Sequence, residues 1–265
     1  MTAAEVVTPP EPKKRRRFLV WAIALGALVV LLVVGYFVAE SAARNYANDL
    51  IHTELVSAFD LDADHPMQID LGGGSLLAQA AGGSIDRVDV AINNVALGDI
   101  TGDITLAATG IPLDSEKPAD TIAATATINE ANVATLRDYL SGVQLDSITL
   151  GDGVIDVATS IKVLFLSVPV SAAIVPSAAD GELVFTPESV TVNGAVVSIN
   201  DLLSGPLASV ASGFLGAQSF CVAQYLPAAI TLDDVTVTSD DLVLDFSGQN
   251  VALGGSGLSA KGTCG

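Results

Sequence analysis

The apolar residues of this chain follow three patterns in succession. Phe18 to Val38 is one unbroken run without a charge, FLVWAIALGALVVLLVVGYFV, 21 residues long. At about 1.5 Å per residue, roughly 20 apolar residues cross a hydrocarbon core, so the run predicts a membrane-spanning helix. A helical period follows. Tyr46, Leu50, Ile51, Leu55, Ala58 and Phe59 share one broad face, with Arg44, Asn48, Asp49 and Thr53 elsewhere. This predicts a helix over Ser41 to Phe59, able to continue directly from the apolar run. After the loop Asp60 to Pro66 and two glycine clusters (72–74 and 82–83), the period becomes two. In Thr121 to Ile128, Ile122, Ala124, Ala126 and Ile128 alternate with Thr121, Ala123, Thr125 and Thr127, the pattern of a half-buried strand. Leu242, Leu244 and Phe246 alternate with Val243 and Asp245 in the same way.

One motif recurs: an acid followed at +2 and +4 by Val, Ile or Leu. The copies begin at Asp86, Asp146, Glu188 and Asp233. Each precedes a turn candidate: Asn93-Asn94, Gly151-Asp152-Gly153, Asn193-Gly194 and Ser239-Asp240-Asp241. These are hairpin signals. Their spacing is irregular, and antiparallel sheets yield such hairpins without internal duplication. Two helices interrupt the strands. Asn129 caps Glu130 to Leu140, and Asn200 caps Asp201 to Leu215, where Leu203, Leu207, Val210 and Phe214 fall at helical spacing. The segment Ile161 to Ile174 is apolar at both parities. Leu164, Leu166, Val168 and Val170 form one set, and Ile161, Val163 and Phe165 the other. It reads as one long curved strand, covered on both sides or lining an apolar cavity.

Charge sets the orientation. Lys13, Lys14, Arg15, Arg16 and Arg17 directly precede the apolar run, and no comparable cluster follows it. Positive charge stays in the cytoplasm, so residues 1–17 form a cytoplasmic tail, 18–38 a transmembrane anchor and 39–265 an extracytoplasmic domain. Ser41-Ala42-Ala43 resembles a cleavage site, but the apolar run is longer than a signal peptide needs. From Ala39 onward there are six basic and 28 acidic residues, a net charge of −22. Such a surface repels nucleic acid and does not dock on anionic headgroups by charge. Cys221 and Cys264, the only cysteines, sit in the domain expected outside. They are expected to pair, closing a loop of about 44 residues, with two free thiols as the alternative.

Catalytic signatures are missing: no GxSxG elbow, P-loop or HExxH occurs. Neither His52 nor His65 has metal-ligand spacing. Asp60-x-Asp62-x-Asp64 resembles the start of a calcium loop, but its sixth position is His65 and its twelfth Leu71. No catalytic residue, metal site or cofactor is expected.

The anchor, the following helix, the late cysteine pair and segments such as SIDRVDVAINNVALGDITGDI and AITLDDVTVTSDDLVLDFSG resemble the actinobacterial LmeA-like phospholipid-binding family, first known as a domain of unknown function. The resemblance spans about Ser41 to Gly265. It implies an α+β fold in which a curved antiparallel sheet wraps on helices, tubular lipid-binding-like, with an apolar cavity for acyl chains. It also implies a role in cell-envelope lipid or lipoglycan biology. This chain departs from the family in having a membrane span without a lipoprotein cysteine.

The expectation is a tethered binder of phospholipid or another acyl-chain lipid. Its cavity would lie between the strand at Leu164, Leu166, Val168 and Val170 and the helix face Leu203, Leu207, Val210 and Phe214. The alternative is a structural or protein-interaction module of the envelope whose apolar faces are ordinary core. The topology is directly testable: a reporter fused after Gly265 should be active when it requires export, and activity of a cytoplasm-only reporter overturns the orientation.

Overall fold

A computed structural model of the chain describes residues 13–97, 100–114, 117–135, 145–163, 166–199, 218–252 and 260–264. They divide into two compact units between Ala47 and Asn48. The first is helical. Helix α1 (Lys13–Ala58) is continuous over 46 residues, so the apolar run and the helix after it are one element. Its described stretch Leu28–Ala58 is long and apolar enough to cross a membrane, a property that anchors and signal sequences share. Leu31 and Phe37 are among the exposed apolar residues on it, and one turn is pinned by Arg44 Nε donating to Glu40 Oε1 at 2.9 Å.

The second unit is mostly β. Its elements are β1 (Met67–Asp70), α2 (Leu76–Gly82), β2 (Ser84–Leu97), β3 (Ile100–Pro112), β4 (Pro118–Asn129), α3 (Glu130–Thr135), β5 (Ser147–Leu150), β6 (Ile155–Val163), β7 (Leu166–Ala179), β8 (Glu182–Val192), β9 (Ala195–Val197), β10 (Gln218–Cys221), β11 (Ile230–Val237) and β12 (Asp241–Ala252). The single curved sheet expected from sequence is two antiparallel sheets. The first runs β1-β2-β3-β4-β12-β11; the second runs β10-β8-β7-β6-β5, with β9 also on β8.

Register explains why the alternating strands produce a core. Across the first sheet, Ile92 faces Ile104, Ile104 faces Ala126, and Ala126 faces Leu244. The apolar sets of four strands thus share one face, and a one-residue slip of any strand would send its set to solvent. That face is sealed in two places. Ile92, Val95 and Ile104 pack with Ile51 and Leu55 near the C-terminal end of α1 and with Phe59 just after it. Ile128, Val235, Val237, Leu242 and Leu244 pack with Ile148, Leu150 and Ile155 of the second sheet, and with Val133 of α3. The Asn129 side chain caps α3 as expected, accepting from Asn132 N at 2.9 Å. Residues 136–140 of that expected helix, and all of Asp201 to Leu215, lie outside the described residues.

Of the recurring acid motifs, those at Asp146, Glu188 and Asp233 open the hairpins β5–β6, β8–β9 and β11–β12. At Asn193-Gly194 both residues have positive φ (47° and 82°), the demand of a two-residue hairpin turn that Asn-Gly meets without strain. The motif at Asp86 behaves differently. Strand β2 continues through Asn93-Asn94, where the register shifts, so this pair is a bulge within the strand. The carboxylate of Asp103 fixes it by accepting from Asn94 N at 2.9 Å.

Cys221 and Cys264 are bonded, with a sequence separation of 43. The bond holds the C-terminal segment against the β7–β8 turn. There Gly181 O accepts from Val222 N and Ala223 N at 3.1 and 3.0 Å. Gly181 has φ +80°, and a Cβ on it would meet Ala223 Cβ at 2.9 Å, so glycine is required by conformation and by space. Thiol labelling of the unreduced, denatured protein should find no free cysteine. Cys264→Ser should lower stability by about 2–5 kcal/mol, read by denaturant unfolding.

Candidate functional site

The expected long strand Ile161 to Ile174 is two strands, β6 ending at Val163 and β7 starting at Leu166, paired antiparallel. The reversal accounts for its apolar residues at both parities. Ile161 lies opposite Val168 and Val163 opposite Leu166, so the odd set of β6 and the even set of β7 occupy register positions of one face. The alternating positions Ser160, Lys162, Ser167 and Pro169 pair among themselves on the other. The segment is therefore a hairpin with its apolar positions on one face, and not one strand apolar on both.

Of the residues expected to line a cavity, Val168 and Val170 are half-buried. Val170 packs with Ala172, Val192, Val197 and Ile199 around the buried Val190. Leu166 opens β7, while Leu164, Leu203, Leu207, Val210 and Phe214 lie outside the described residues.

A second apolar surface was not singled out from sequence. On the core face of the first sheet, Ile128 and Leu242 are buried. Further along these strands and on the neighbouring β3, Leu106, Ala108, Ile122, Ala124 and Phe246 are only half-buried. They form one patch by register, since Leu106 faces Ala124, Ala124 faces Phe246, and Ala108 faces Ile122. The alternation of β4 marked these positions as apolar, but only the fold shows that the cover thins along the strand.

Two concavities bordered by carboxylates lie elsewhere on the domain. A groove of about 560 Å³ on the opposite face of the first sheet has a floor of Ala91, Ala107 and Ala123, with Asp70, Asp89, Thr105 and Thr125 around it. Arg87 pairs with Asp89 beside it. Its guanidinium is held above its ordinary range first by that hydrogen bond and then by the charges of Asp89 and Asp70. A second hollow of about 360 Å³ is lined by Asn93, Asp103, Asn129 and Asp241, among others. An acyl chain gains about 0.8 kcal/mol per CH₂ from leaving water, and the gain disappears where carboxylates must be desolvated to admit it. Carboxylates border both hollows, Asp70 and Asp89 the first and Asp103 and Asp241 the second.

The two histidines serve as links. His52 Nε2 lies 3.1 Å from His65 O, and His65 Nε2 lies 2.8 Å from Asn93 O, which ties α1 to the β2 bulge. In the loop Asp60 to Asp64, His65 N donates to Asp62 O at 2.9 Å, a tight turn. Among the described residues no three His, Cys, Asp or Glu side chains converge as a metal site.

The described residues thus comprise an N-terminal apolar helical unit and a mostly β unit with amphipathic sheets. The family described as LmeA-like phospholipid-binding matches over residues 38–247, most of the chain. The chain belongs to this family, which is a lipid-binding family and not a known enzyme family. No curated protein and no solved structure matches it.

The thinning cover can be tested directly. Ile122→Gln places an amide where water reaches and should cost about 1 kcal/mol, whereas Ile128→Gln buries it in the sealed core and should cost about 3 kcal/mol. Equal losses in thermal unfolding would show that the whole face is sealed.

Proposed function

We propose that this protein is a membrane-tethered extracytoplasmic binder of phospholipid or a related acyl-chain lipid. In this reading residues 18–38 stay in the membrane as an uncleaved anchor, residues 1–17 face the cytoplasm and residues 39–265 lie outside. The observation that carries the proposal is the family match over residues 38–247. The half-buried apolar faces support it, because they offer hydrocarbon contact beyond the sealed core.

The mechanism is burial of acyl chains against Val168 and Val170 on the second sheet and against Ile122, Ala124 and Phe246 on the first. The headgroup remains at the polar rim. Binding of this kind is driven by apolar area and needs no titrating group, metal or cofactor. The place of such a protein is in cell-envelope lipid or lipoglycan biology, where acyl chains must be shielded from water away from the bilayer.

The test is native mass spectrometry of the full chain purified from cells in mild detergent. Bound lipid is expected on the wild type, and Val168→Gln should carry several-fold less at nearly unchanged thermal stability. A chain without lipid, or a variant that loses most of its stability, points instead to a filled core and a structural or protein-interaction module.

A further inference from the structure

We propose that Phe220, Tyr225 and Lys261 form a contact surface for a phospholipid bilayer, an inference that rests on the reading of the chain as a tethered lipid binder. Phe220 ends near the disulfide on β10 and Tyr225 lies in the 3-10 turn Ala223–Tyr225. Their rings stack with centroids 5.6 Å apart and planes 9° apart, although the residues are 50% and 62% exposed. The stack is fixed from several sides. Cys221 is bonded to Cys264, the turn is hydrogen-bonded to Gly181 O, and Lys261 Nζ donates to Tyr225 O at 3.1 Å. A rigid, solvent-facing aromatic pair loses little entropy on docking, and a phenol beside an apolar ring suits the boundary between headgroups and acyl chains.

Charge selects the occupant. Arg44, Arg87 and Lys117 lie in ion pairs with Glu40, Asp89 and Asp114. Lys261 makes no ion pair among the described residues, so its ammonium keeps donors for a lipid phosphate. Asp180 and Glu182 adjoin the same clip on the β7–β8 turn. With these neighbours, in a domain of net charge −22 from Ala39 onward, a dense anionic surface would be repelled. The contact is therefore aromatic insertion aided by one phosphate, and it does not depend on anionic lipid. A domain tethered to the bilayer meets that surface at high effective concentration, so a small patch suffices.

Trp21 is the only tryptophan, so Trp21→Phe/Tyr225→Trp gives a single reporter in the full chain. Reconstituted in phosphatidylcholine liposomes brominated near the headgroup, its emission should shift to shorter wavelength. It should also be quenched several-fold more than that of Trp21→Phe/Leu113→Trp, at a residue also exposed (55%). Raised salt should leave the quenching unchanged. Equal quenching at the two positions, or quenching at Tyr225→Trp only with anionic lipid at low salt, overturns the proposal. Adding Val168→Gln separates the two readings. If lipid burial is lost while quenching persists, the quencher is bilayer lipid, as proposed. If both are lost together, the quencher was a lipid carried in the cavity, and the bilayer contact is wrong.

Discussion

The structure depends on strand register. Ile92, Ile104, Ala126 and Leu244 come from distant parts of the chain and meet in one row across four strands. No single strand here holds enough apolar surface to fold alone. Each contributes two to four small or medium aliphatic side chains, and these become a core only when all alternate in phase. The bulge at Asn93-Asn94 is part of this constraint: it shifts the register between Ile92 and Val95 and leaves both residues fully buried.

Phase also decides what the sequence could and could not disclose. The alternation in Thr121 to Ile128 was legible because one strand carried it from end to end. The run Ile161 to Ile174 was misleading because a turn inside it inverted the parity, and no glycine or proline marked that turn. The sequence between the paired Val163 and Leu166 is Leu-Phe, with no turn-favouring residue. Asn93-Asn94 failed in the opposite direction, since turn-favouring residues were used for a bulge. Both errors have one cause: a local residue type specifies a local conformation, while neighbouring strands decide whether the chain turns or continues.

The candidate site was legible as composition and not as place. Sequence marked Ile122 as an apolar position on an alternating strand, and Val168 and Val170 as apolar positions on a segment apolar at both parities. It could not show that Ile122 loses cover while Ile128, six residues further along the same strand and on the same face, keeps it. That difference arises from what packs above each position. Ile128 lies beneath the second sheet and α3, whereas Ile122 lies beyond both sealed clusters. The cysteine pairing was fully legible, because a chain with two cysteines has only one internal pairing.

The disulfide has a mechanical consequence. Cys221 belongs to a strand of the second sheet, and Cys264 follows the last strand of the first. Between them the chain leaves for the first sheet, forms the β11–β12 hairpin and returns to the turn at Gly181. The hairpin is thus the bight of a closed covalent loop, with both ends moored to the second sheet. Any motion that opened the space between the sheets would pull on this loop, so the two layers can flex about the mooring but cannot peel apart from that end.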